Sequence, residues 1–282
     1  KKYNFVAINM QAKTPNLWQY TPANSPLPLP DGPIIVTKNT IHYLSRKGDK
    51  EAPKGSLNLQ EIQHYCSDFI CEAETIDSIL SQENAELLQD RKPFLLLGEL
   101  ANPFQLNRLN IGPMPIFIIR LENLCRTYAD ALDNRMINPG IHHVTLARSK
   151  GWWEKAHMAM ATIEQMKSMI TWLNNGRRAG DWKPVRPAEG IIRFENDLQI
   201  QSPSMDMLHW DGTSESVKQE PPKPSGPSIE LKQIMTPIHT KWGCYNSRGK
   251  LIRCSLVGQR DFHTNYFRRG SSKKWQDILK IE

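Results

Sequence analysis

Eight histidines are the side chains of this sequence best suited to moving protons near neutral pH, and one stands in a pattern with chemical meaning. His143-Val144-Thr145 sets an imidazole and a hydroxyl two residues apart. On a β-strand, positions i and i+2 face the same side, so both groups would meet one substrate. The imidazole would act as acid or base and the hydroxyl would hold a phosphate oxygen. His143 and Thr145 are therefore the phosphate-binding candidates. A second set, His239, Cys244, Cys254 and His263, has the residue types that zinc takes. Its spacings are loose and no Cys-x-x-Cys anchors it, so buried thiols and surface histidines are expected there rather than a metal. His64, Cys66 and Cys71 form another loose set. At helical spacing His64 and Cys71 would share a face and Cys66 would not.

The His-x-Thr pattern resembles the signature of the 2H phosphoesterases. That resemblance implies two such motifs on neighbouring strands, one histidine as base and the other as acid. A second motif is missing from the sequence. The residues two places after His42, His64, His142, His157, His209, His239 and His263 are Leu44, Cys66, Val144, Ala159, Asp211, Lys241 and Asn265, none of them Ser or Thr. No nucleophile elbow, phosphate loop, dinucleotide fingerprint or His-Glu-x-x-His motif occurs. The sequence reads as a binding protein that needs no cofactor, not as an enzyme.

The candidate contact residues are aromatic and basic. Trp152 and Trp153 are adjacent, and on a helix two neighbours cannot share a face, so either at least one is partly exposed as an interface anchor or both pack under neighbouring strands. Trp242, Tyr266, Phe267, Arg268 and Arg269 lie among further lysines and arginines such as Arg260, Lys273 and Lys274. Such a tail suits an acidic protein face, or nucleic acid held by phosphate contacts and base stacking.

These residues need elements to hold them. Ile34–Ser45 reads as two short strands with a turn at Lys38-Asn39. Residues 57–89 switch to helical spacing, as one broken helix or two, with Ser56 as N-cap. Pro93–Leu97, Pro115–Leu121 and Ile141–Leu146 are apolar strands, and 191–200 alternates in part. Trp153–Asn174 reads as the best helix, with Gly176 just past its end and Arg177 and Arg178 at its C-terminal dipole. Five prolines in 20–33 make an extended surface loop, whose Pro30-Asp31-Gly32-Pro33 favours a turn over an SH3-type ligand. The fold class is α+β or α/β, a mixed sheet flanked by helices with a small C-terminal basic module. The expected organisation is a main domain at 1–201, a flexible Ser/Pro-rich linker at 202–230, and a basic aromatic module at 231–282 carrying a strand pair around Lys250–Val257.

Length and composition agree with this. The chain has 282 residues, enough for one large core with or without a small second one. Its 36 basic and 29 acidic residues leave +7, which favours anionic partners without forming a dense basic stripe. Five cysteines in no paired framework point to a reducing, intracellular setting. No run of eighteen apolar residues predicts a membrane span. The start at Lys1 reads as a fragment or processed product. Val217-Lys218-Gln219-Glu220 matches the SUMO acceptor pattern, a hint of the cytoplasm or nucleus of a eukaryotic cell.

Three segments together carry a second resemblance. They are Ser149–Lys155 (SKGWWEK), Trp182–Pro187 (WKPVRP) and Trp242–Gly249 (WGCYNSRG). The chain looks like the Bet (Bel2-type) accessory proteins of foamy retroviruses without their N-terminal segment. That resemblance implies a non-enzymatic protein that binds host APOBEC cytidine deaminases and sequesters them, countering restriction. The alternatives from other classes are a nucleic-acid-binding structural protein and a 2H-like phosphodiesterase with one motif.

Overall fold

The structure is a computed structural model, and it describes residues 25–38, 40–48, 55–133, 141–239, 246–247 and 250–266. In chain order the strands begin with β1 (Ile34–Val36), β2 (Ile41–Tyr43), β3 (Ser45–Arg46), β4 (Ser56–Leu57), β5 (Phe69–Cys71), β6 (Glu74–Thr75) and β7 (Lys92–Leu96). They continue with β8 (Met114–Asp133), β9 (Ile141–Ala161), β10 (Trp182–Val185), β11 (Ile191–Phe194), β12 (Leu208–Trp210), β13 (Glu215–Val217), β14 (Ser228–Glu230) and β15 (Thr236–His239). The helices of the described residues are α1 (Leu59–Ser67), α2 (Ile76–Gln82), α3 (Pro103–Arg108), α4 (Ile163–Leu173) and the single turn α5 (Gln259–Asp261).

The β8–β9 ribbon organises everything else. Its β-branched and aromatic residues suit a pleated, buried surface. One edge of β8 pairs first with β1 and then with β11; its other edge pairs with β9, which continues to β7. β14 follows β11, and β4 joins β14 in parallel, while the other pairs of this sheet are antiparallel. The ribbon breaks register between Glu122 and Leu124. There Asn123 and Gly151 adopt φ of 56° and 75°, and Gly151 N–H donates to Asn123 Oδ1 at 2.8 Å. Such a bulge bends a ribbon and sharpens its twist. Nearer the start of β9, Val144 packs against Gly98, where an added Cβ would lie 3.3 Å from the valine.

The sheet buries both faces. α1 and α2 cover one, with Tyr65, Phe69, Phe117 and Phe194 in edge-to-face and tilted contact. α3 and α4 cover the other, over Phe94, Ile116 and Ala159. The mixed sheet with helices on both faces is the α+β architecture that the sequence predicts. Arg91, fully buried, fastens this second side: Nη1 donates to Pro113 O, Met160 O and Gln165 Oε1 at 3.0–3.1 Å.

Several boundaries fall elsewhere than the sequence suggests. Ser56 is in strand β4, and Asn58 caps α1 with a reciprocal bond from Glu61. The helical spacing of 57–89 is interrupted by the β5–β6 hairpin. Trp153–Ala161 is strand and not helix, because β8 pairs with residues 153–159 along one edge and β7 with 157–161 along the other. The helix starts after Thr162, whose hydroxyl accepts from Gln165 N–H while the Gln165 side chain returns to the Thr162 N–H. Its end agrees with expectation: Gly176 N–H donates to Thr171 O at 2.9 Å with φ of 79°.

The proposed linker and module also need correction. Residues 202–230 carry the β12–β13 hairpin and β14, and Ile229 of β14 is fully buried between β11 and β4. A low aliphatic content missed this, because one well-placed isoleucine suffices for a three-residue strand. Leu231, Ile234 and Ile238 belong to the main core, and β15 pairs with β10. The strand pair expected around Lys250–Val257 is present, short among the described residues, as Asn246–Ser247 with Lys250–Leu251. Beyond it, Ile252 O and Val257 O accept from Thr127 and Tyr128 hydroxyls at 2.7 Å each. The described residues after 230 are thus built onto the main sheet.

Candidate functional site

The histidine pattern sits at the start of β9, where neighbouring residues turn to opposite faces. His142 faces the C-terminal segment. Its main-chain N–H and C=O are clamped by the Gln259 amide at 2.9 Å each, and its Nε2 shares a hydrogen bond with His263 Nδ1 at 3.0 Å. His143 faces the other way. Its ring lies 5.1 Å from Trp182, edge-on, and 5.5 Å from His239, stacked. β10 and β15 hold those two in register, since Trp182 pairs with His239. Beside His143 is a cavity of about 20 Å³, lined by Leu97, Glu99, Trp182 and Gln259 among others. That is room for a single water-sized occupant.

The pairing of a second histidine with His143 was invisible in sequence, because His239 lies 96 positions later and carries no Ser or Thr two places on. Thr145 does not complete the site. It is fully buried, so its hydroxyl is closed to an outside phosphate. The candidate metal ligands are dispersed: His239 stacks on one side of β9, His263 bonds His142 on the other, and Cys254 lies near Tyr128. Cys244 is outside the described residues. His64 is exposed while Cys66 of the same helix is buried, and Cys71 is in β5. Among the described residues no three His, Cys, Asp or Glu side chains gather as metal ligands. Burial pushes the thiols of Cys66 and Cys254 up, which keeps them protonated and poor nucleophiles.

The tryptophan pair is not an exposed anchor. On a strand Trp152 and Trp153 turn to opposite faces, and both faces are covered, leaving them 1% and 2% exposed. Trp153 Nε1 donates to Gln201 O at 2.8 Å. Trp152 Nε1 donates to Glu154 Oε2 at 3.0 Å, and the Arg253 guanidinium sits 4.4 Å above its ring. Arg253 pairs with Glu215 at 2.7 Å and donates to Ser149 at 2.8 Å; Glu154 also pairs with Arg126 at 2.7 Å. This buried charge network ties β13 and the C-terminal segment to β9. Tyr266 is half-buried against the core. Trp242, Phe267, Arg268 and Arg269 lie outside the described residues.

A surface that the sequence reading passed over lies along α4. Met166, Met169, Ile170 and Leu173 face the core. Ile163, on the flank of the same helix, is 45% exposed. Between α4 and β10 runs an open groove of about 1030 Å³, whose apolar lining includes Ile163, Met166, Ile170, Trp172, Pro184 and Met235. Lys167 and Arg178 line it as well. Arg186 reaches its edge, with Nε 3.3 Å from Met235 Sδ. The available signal was Ile163, seven positions before Ile170 and so continuing the apolar face into the first turn, where it stays partly exposed.

No helix among the described residues is long and apolar enough to cross a membrane. No protein-family model, no curated protein and no solved structure matches the chain.

Proposed function

We propose that this protein works by stoichiometric binding: a non-enzymatic viral accessory protein that holds a host cytidine deaminase of the APOBEC type and so counters restriction, acting inside the host cell, in cytoplasm or nucleus. The observation that carries a binding role is the open apolar groove along α4, large enough to take side chains of another protein. The identity of the partner rests on the resemblance in the segments around Trp152, Trp182 and Trp242. The test is co-purification of the tagged full chain from mammalian cells, with and without nuclease. A deaminase recovered at one-to-one stoichiometry after nuclease supports the reading. Recovery only of RNA and RNA-bound proteins, lost on nuclease treatment, moves it to a nucleic-acid-binding protein.

One observation favours a second reading. His239 stacked on His143 puts a second imidazole beside the first, the residue type a phosphodiesterase would use as its other acid or base, although the adjoining cavity admits only a water-sized group. That reading predicts turnover of a nucleoside 2′,3′-cyclic phosphate that is lost in both His143→Ala and His239→Ala. An inert wild-type protein ends it.

A further inference from the structure

We propose that the groove along α4 is the docking site for an acidic amphipathic segment of the partner protein. The inference rests on the binding role above and assigns it a place and a chemistry. It begins with the shape of α4. Eleven residues give a helix of about 16 Å, the length over which an incoming helix sets two or three anchors at i, i+3 or i+4, and i+7. The floor is apolar and half of it is soft. Met166 and Met235, with unbranched polarizable side chains, adapt to an incoming apolar residue. Ile163 and Trp172 give the firmer edges.

The charge is one-sided. Residues 163–186 hold five cations, Lys167, Arg177, Arg178, Lys183 and Arg186, against two carboxylates, Glu164 and Asp181. Glu164, Lys167 and Arg178 all line the groove, and Glu164 pairs with Lys167 at 2.7 Å, so the net positive charge comes from Arg178 inside and from the exposed Arg177, Lys183 and Arg186 around it. Rim charges of one sign steer an oppositely charged partner and reject like-charged ones, while the desolvated apolar floor carries the affinity. Nucleic acid fits less well, because an apolar floor offers phosphates nothing. A second copy of this chain would bring the same cations face to face.

The probes are two fluorescein-labelled synthetic helices with leucines at i, i+3, i+4 and i+7, one bearing glutamates on the remaining faces and one bearing lysines. Fluorescence polarization with the full chain should find binding of the glutamate peptide and at least about tenfold weaker binding of the lysine peptide. Lys167→Glu with Arg178→Glu should weaken the glutamate peptide by about tenfold or more, and Ile163→Ser should do so separately. Those three side chains are at the surface, so unchanged thermal melts must accompany the loss. Equal binding of both peptides, or variants that bind like wild type, overturns the assignment. So does self-association of the full chain that Ile163→Ser abolishes, which makes the groove an interface between copies. Repeating the deaminase capture with the same variants separates the two claims. Capture by wild type and variants alike leaves the binding role standing and removes the groove. Peptide binding without any deaminase capture keeps the groove and removes the proposed partner.

Discussion

At the residue scale, burial decides what the polar and aromatic side chains do. His157 is the clearest titrating group. It is 4% exposed on β9, its Nε2–H donates to Pro30 O at 2.9 Å, and burial lowers its pKa from 6.5 to about 4. The folded state therefore refuses a proton that the unfolded chain accepts. Stability from this group is full above about pH 6.5 and falls as the pH drops toward 4, by on the order of 3 kcal/mol in total. Urea midpoints at pH 7 and pH 5 measure it. The His157→Gln variant, which keeps a donor for Pro30 O, should lose less stability between the two pH values than wild type. An equal loss in both would remove His157 as the cause. Trp152 gives the second residue-scale prediction. Trp152→Ala should cost about 3–5 kcal/mol by opening the core and removing the ring beneath Arg253 and the indole donor to Glu154, read as a lower urea midpoint. Trp152→Phe, which keeps the ring volume in part, should retain partner capture, because Trp152 is a core residue. Loss of capture in a well-folded Trp152→Phe protein would return it to the interface.

At the element scale, what sequence could reveal depended on how local the deciding force was. The α4 C-terminus was legible because Asn175 and Gly176, both of residue types that accept positive φ, follow the cap at 56° and 79° and return their N–H groups to Trp172 O and Thr171 O. The strands at 93–97, 115–121 and 141–146 were legible because their apolar runs are dense. The N-terminal boundary of α4 was not. Ala159, Ile163, Met166, Ile170 and Leu173 fall at helical spacing, yet Ala159 is committed to pairing with Ile116 of a strand about forty residues earlier. No local signal reports that pairing. The cap that does mark the boundary, Thr162 with Gln165, was present in the sequence and outvoted by periodicity. Its removal is testable: Thr162→Ala should cost about 1 kcal/mol and fray the first turn, read by thermal melting and by faster amide exchange at residues 163–166. An unchanged melt would mean that Arg91, which holds Gln165 from the side, fixes the turn without the cap. The histidine pair shows the same limit at the site. His143 was legible as half of a pattern, and its neighbour His239 arrives only through the register of β10 with β15.

At the scale of the whole molecule, composition placed a boundary where topology has none. A stretch rich in Ser, Pro and charge from 202 to 230 looks like a connector between two independent bodies. In the fold it delivers β14 into the main sheet, and the chain then runs through Leu231, Ile234 and Ile238 of the main core. The ties continue beyond it. Gln259 clamps His142, and Arg253 is buried against Trp152 while paired with Glu215 of the supposed linker. An uncompensated buried charge is strongly destabilising, so each end of this network needs the other. A chain ending at Gln201 would lose β14 and β15, uncovering the edges of β11 and β10 and leaving the Trp152 pocket without its cation. It should not fold as a domain, and circular dichroism and limited proteolysis should find an expanded, protease-sensitive product. A chain ending at Tyr266 keeps every tie described and should melt cooperatively. If the piece ending at Gln201 instead melts cooperatively with native strand content, residues after 201 are an addition to a self-sufficient domain, and the groove along α4, one wall of which is Met235, would have to be assembled after that domain had already folded.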